Sequence, residues 1–247
     1  MAFSRVVAPS TSPDHDALTS ALAGIGMNFA ATPATDANIE DTLLFASTEG
    51  MDKDDLRVLA ALVTWFGEHH ACVNADRLTK LVNTHGSPRV RALWSALATW
   101  QESDRRFSRL VALHEGRRSD LLATGTDFQI GRRGEDPRFA RSCLRVPANV
   151  LRDRAADVLT PMELARRHRA YRHRIMMGPI YRADLWAALE ADPNASTAEL
   201  ARRTYASFAS AWQVKRDFET LFGPSDKNRP RRQTRSSHHR RPHAEES

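Results

Sequence analysis

The feature that most restricts this 247-residue chain is its punctuation. Thr160-Pro161-Met162-Glu163 and Ser196-Thr197-Ala198-Glu199 have the spacing of a capping box. In that motif a hydroxyl accepts from the backbone N–H three residues on, and the glutamate caps in return. Ser87-Pro88 supplies a third start, with proline at the first helical position, where no backbone N–H is needed. Behind each start the apolar residues recur at helical intervals rather than alternating ones. A mainly α fold follows.

Between these marks the chain divides into five stretches. Residues 1–53 read as an acidic, partly disordered N-terminal region, with a short helix in HDALTSALAGIGMNFA. Residues 54–115 form a first tri-helical module. DDLRVLAALVTWFGEHH places Leu56, Leu59, Leu62, Val63 and Phe66 on one face, Asn74 caps the next helix, and the helix after Pro88 turns Val90, Leu93, Trp94 and Leu97 inward. Residues 116–158 are irregular and arginine-rich, with TDFQI and SCLRV as strand candidates for a small hairpin or wing. Residues 159–223 form a second helical module, and 224–247 a disordered basic tail with almost nothing apolar to bury. Since 54–101 and 160–222 both read as helix, helix, turn, helix, the expected architecture is two tri-helical, helix-turn-helix-like modules. A small β-containing segment joins them, and the ends are disordered.

Charge is polarised along this layout. The formal total is +6, but residues 1–55 hold Arg5 and Lys53 against nine acids. Residues 132–182 hold thirteen arginines against five acids, and the tail holds seven basic residues against three acidic ones. An excess of positive charge leans toward a polyanionic partner. Cys72 and Cys143 have no paired spacing, and no signal or membrane-spanning run is visible, so a reducing cytoplasmic setting is expected. No phosphate-loop, nucleophile-elbow or paired-carboxylate pattern appears. The His69-His70-Ala71-Cys72 cluster lacks a second ligand pair at zinc-like spacing. The reading is therefore a non-enzyme with no cofactor and no metal.

The functional expectation centres on TAELARRTYASFASAWQVKR, residues 197–216. Leu200 followed by Ala201 supplies an apolar anchor and a small residue where two helices cross. Ala206, Ala211 and Val214 supply apolar support from the turn and second helix. On these twenty residues the chain resembles the helix-turn-helix and winged-helix DNA-binding regulators. It departs from their pattern at Tyr205, where a glycine is usual, because a bulky residue tolerates a left-handed backbone poorly. The departure suggests a longer turn or a different crossing.

The resemblance implies that the second helix reads DNA. Phe208, Ala211, Phe218 and Phe222 would face the core, and Ser207, Ser210, Gln213 and Arg216 would reach base edges. The alternative is an ordinary structural helix pair with a solvated outer face.

Upstream, ARRHRAYRHR carries Arg166, Arg167, Arg169, Arg172 and Arg174 around a predicted buried stripe of Leu164, His168, Tyr171 and Ile175. With no acid inside the run, these arginines, together with Lys215, are candidates for phosphate contacts. The alternative is neutralisation by the acidic N-terminal region. In the first module the corresponding outward residues are Arg89, Arg91, Ser95 and Thr99, a second surface for DNA or for dimerisation. The resulting expectation is a DNA-binding transcriptional regulator, with DNA favoured over RNA, room for a homodimer or protein partner, and no membrane association. Autoregulating antitoxin-type repressors are one setting that fits. The competing expectations are a protein-interaction module, using its helices and acidic N-terminal region, and an RNA-binding protein using the arginine helix.

Overall fold

The computed structural model describes residues 13–223, so the expectations for residues 1–12 and for the tail 224–247 lie outside the described residues. The predicted starts are where helices begin. Asn74, Ser87, Thr160 and Ser196 each accept a backbone N–H two or three positions into the following helix, and Thr160 and Glu163 complete the reciprocal box.

The first five helices are α1 (His15–Gly24), α2 (Ile39–Asp52), α3 (Leu56–His69), α4 (Ala75–Thr84) and α5 (Pro88–Trp100). α3 is enclosed on every side from Val58 to Phe66 rather than along one stripe, which makes it the axis of a large core. Trp65 donates its indole N–H to the Ile25 carbonyl at 2.7 Å, and Trp94 donates to the Ser47 hydroxyl at 2.9 Å. Phe66 meets Trp94 and Phe107 edge-on, with centroids 5.5 and 5.3 Å away.

This core reaches well past the expected first module. Its buried residues run from Leu18 to Tyr171, drawing in α1, α2 and the segment after α6 (Ser108–Val111). That outcome corrects the outward surface expected on α5. Ser95 is buried and donates to the Val111 carbonyl, and Thr99 donates back to the Ser95 carbonyl. Arg89 is tied to Asp54 and to the carbonyls of Met51 and Leu121. Arg91 is only half-buried. α5 is a core helix, not a presented one.

The middle segment also differs. TDFQI lies in a helix, α7 (Thr126–Arg133), started behind Gly125 in a left-handed conformation. SCLRV does give a strand, β2 (Leu144–Arg145), but it pairs in parallel with β1 (Ser119–Asp120). A parallel pair cannot be a two-strand hairpin, because its ends are joined by a crossover. The expected wing is therefore not built here.

The remaining helices are α8 (Pro161–Arg167), α9 (Arg169–Met177), α10 (Tyr181–Ala191), α11 (Thr197–Thr204) and α12 (Phe208–Phe222). The expected single arginine helix is broken at His168, whose backbone is extended and whose ring caps α9 by accepting from the Tyr171 N–H. Gly178, at φ +86°, ends α9 and releases the chain into α10. α10, α11 and α12 close over a separate small core of Leu185, Leu189, Ala195, Leu200, Ala206, Ala211, Val214 and Phe218. Among the described residues no helix is long and apolar enough to cross a membrane.

Candidate binding surface on the C-terminal helices

α11 and α12 are joined by only three residues, Tyr205 to Ser207. The turn is neither lengthened nor avoided at Tyr205. That residue takes the left-handed conformation itself, at φ 58° and ψ 16°. For a residue with a Cβ this costs about 1 kcal/mol or more, so something must hold it there. Its ring lies against the Arg77 guanidinium, 3.4 Å from carbon to ring centroid, and its hydroxyl donates to Asp41 at 2.7 Å. Arg77 in turn pairs with Asp41 from α4 to α2. Burial and the Asp41 carboxylate push the Tyr205 hydroxyl up to about 12, so it remains a donor. Burial likewise pushes the Asp41 carboxyl above its ordinary value, against the pull of Arg77 and Tyr205.

A second buried cluster sits beside this clasp. Arg174, at the end of α9 and 2% exposed, donates to both oxygens of Glu40 at 2.6 and 2.9 Å. It also donates to both oxygens of Asp184 on α10, at 2.8 and 2.9 Å. Two bidentate pairs on one guanidinium satisfy nearly every donor it has. Burial opposes ionisation of Glu40, but Arg174, the Asn74 N–H and Arg77 outweigh it and hold that carboxyl below the usual carboxylate range. At Asp184 burial prevails and the carboxyl is pushed up. Together the two clusters fasten α10–α12 to α2, α4 and α9.

These contacts decide most of the arginine expectations. Arg174 is enclosed and cannot meet a phosphate from outside. Arg169 pairs with Asp36 at 2.7 Å and Arg172 with Glu190 at 2.6 Å. Neutralisation by acids of the same molecule, Asp36 and Glu40 in the N-terminal region among them, accounts for these three. Arg166 and Arg167 are exposed, with Arg166 3.6 Å from the Met162 sulfur. Lys215, half-buried, donates to the Ala195 carbonyl at 2.7 Å and anchors α12 to the turn after α10. Ile175 is exposed rather than part of the buried stripe.

On α12 the predicted readers have mixed placements. Ser207 is the N-cap, accepting from the Ser210 N–H, and the two hydroxyls are 2.8 Å apart. Both are occupied at the cap. Gln213 is exposed and donates its amide to Asp217 at 2.9 Å. Asp217 is further tied to Arg182, whose hydrogen bond holds the carboxyl below the usual range. Arg216 is exposed over the Trp212 ring, 5.7 Å from its centroid.

The core residues include a correction. Ala211, Val214 and Phe218 are buried, but Phe208 is 55% exposed. Phe222 is 69% exposed, although its ring meets Phe218 at a tilt and Trp186 edge-on, with centroids 4.7 and 6.4 Å away. The small core ends before either terminus of a fifteen-residue helix. Trp212, 50% exposed, joins Phe208 and Arg216 in an outward row spaced i, i+4, i+8, with Ala209 and Gln213 beside it.

The charge balance clarifies what this face carries. Residues 13–223 hold 28 basic and 27 acidic side chains, so the excess behind the +6 lies almost wholly in the two ends. Most of it follows α12 directly, in the tail that begins at residue 224. No family model matches the chain, and neither a curated protein nor a solved structure does.

Proposed function

We propose that α10–α12 is a DNA-binding unit and that the protein is a transcriptional regulator, of repressor type. The observation that carries this reading is the geometry of α11 and α12. A three-residue turn with Tyr205 left-handed joins two helices started by serine caps, a small core locks them, and the outer face of the second helix is left open. Arg202 and Arg216 are exposed on the two helices, and the basic tail starts one residue beyond α12's C-cap region. Phosphate affinity is assigned to these groups and to Arg166 and Arg167 rather than to the paired arginines of α9.

A gel shift of the full chain with fragmented genomic duplex, run across a salt series, tests the reading. Binding that weakens steeply with salt, and whose sequence preference changes in Gln213→Ala and Arg216→Ala, is the expected result. No shift even at low salt would remove it. That second outcome would favour the other reading consistent with this surface, a protein partner docking on α12, whose Leu221 and Phe222 are both 69% exposed at its far end.

A further inference from the structure

We infer that Phe208 and Trp212 are specificity-determining residues that read thymine C5-methyl groups in the major groove; the inference rests on the DNA-binding reading above. Phe208 and Trp212 lie one turn apart in the N-terminal half of α12 and together form an exposed aromatic pair rather than a single stray side chain. This is the part of a groove-docked helix that approaches base edges. Phe208 has no polar atom with which to read a donor or acceptor. The apolar feature of base edges in the major groove is the thymine methyl.

The surroundings fit a polyanion rather than a neutral apolar partner. Arg216 extends over the Trp212 ring, so the row ends in a cation. Arg202 is exposed on the neighbouring helix, and the acid nearest in sequence, Asp217, is held by Arg182 and Gln213. Both serines that were expected to read bases are engaged at the helix cap. Discrimination on this face therefore falls to Phe208 and Trp212 for methyl groups, with Gln213 and Arg216 left for polar base edges or phosphate.

Substituting deoxyuridine for thymidine removes only the methyl group and leaves pairing and backbone charge unchanged. The full chain would be used to select duplexes from a random-sequence pool, and the selected duplexes remade with deoxyuridine. Binding should weaken roughly fourfold for each contacted methyl lost. Trp212→Ala and Phe208→Ala should each bind the thymidine duplex less well and narrow the difference between the two forms, and the double variant should no longer distinguish them. Both positions are exposed, and a circular dichroism melt matching the parent's would confirm that the variants fold. Equal affinity for thymidine and deoxyuridine duplexes would overturn the inference while leaving DNA binding intact. So would a selection that returns sites without thymine, or a double variant that still discriminates as the parent does. Recovery of no duplex at low salt would overturn both the inference and the reading beneath it.

Discussion

Arg77 and Arg174 lie beneath the surface against Glu40, Asp41 and Asp184, whereas Arg202 and Arg216 on α11 and α12 point outward. Trp65 and Trp94 are fully enclosed with their indole N–H groups satisfied, whereas Trp212 is half-exposed beneath an arginine. These arginines and tryptophans of the large body turn inward, and the small C-terminal unit turns some of its own outward. The small unit has eight buried apolar residues of its own, too small a core to hold three helices firmly. It relies on the body through Arg174 and Tyr205. What looks in the sequence like two similar modules is one supporting body and one presented unit.

Arg174→Ala should erase that distinction most strongly. It strands Glu40 and Asp184, two buried carboxylates, without their shared cation. A loss of about 3–5 kcal/mol is expected in urea unfolding, because removing one member of a buried pair leaves an uncompensated charge. The loss should fall first on α10–α12, seen as early exposure of Trp186, which packs against the small core, to a fluorescence quencher. A variant as stable as the parent would mean that the unit does not depend on the body.

Acid should act on the body instead. Burial lowers His69 from 6.5 to about 4, while its ring nitrogens bond the Tyr171 hydroxyl at 2.8 Å and the Leu159 carbonyl at 3.0 Å. As pH falls below 6.5 the unfolded chain takes up a proton that the folded chain refuses. Stability should therefore decline from 6.5 toward 4, by about 3 kcal/mol at most, and His69 should contribute no further loss below that. His168, likewise lowered by burial, adds in the same direction. Urea midpoints across this range, compared between parent and His69→Gln, isolate the His69 share; identical pH profiles would contradict it.

The smallest effects concern Tyr205. Tyr205→Phe keeps the ring on Arg77 and loses the bond to Asp41, a change of about 1 kcal/mol. Tyr205→Gly relieves the left-handed strain but removes the clasp, and should be less stable than the parent by about 1–2 kcal/mol. If glycine stabilised the protein, Tyr205 would be a strained passenger rather than a fastening.

The sequence made the helices legible because their caps are local chemistry. Thr160-Glu163 and Ser196 act where they stand, whatever packs around them. What stayed hidden depends on partners distant in the chain. Nothing near Tyr205 signals Arg77 or Asp41, so it looked like a flaw in the turn. Nothing within ARRHRAYRHR singles out Asp36, Glu40 or Glu190, so phosphate contact and neutralisation by the acidic N-terminal region stood side by side. Phe208 was hidden for another reason. It lies close enough to the Ala211–Val214–Phe218 stripe to be read as core, and periodicity does not show where a core runs out. The break at His168 was equally silent, since neither glycine nor proline marks it.

The contrast between acid-paired and open arginines on the surface is tested most directly by the salt dependence of DNA binding in two variants. Arg216→Ala should weaken binding and flatten the plot of affinity against salt by about one ion. Arg172→Ala, which removes a partner of Glu190 on α9, should leave both affinity and slope at the parent's values. The reverse pattern would contradict the assignment of α12 as the presented helix.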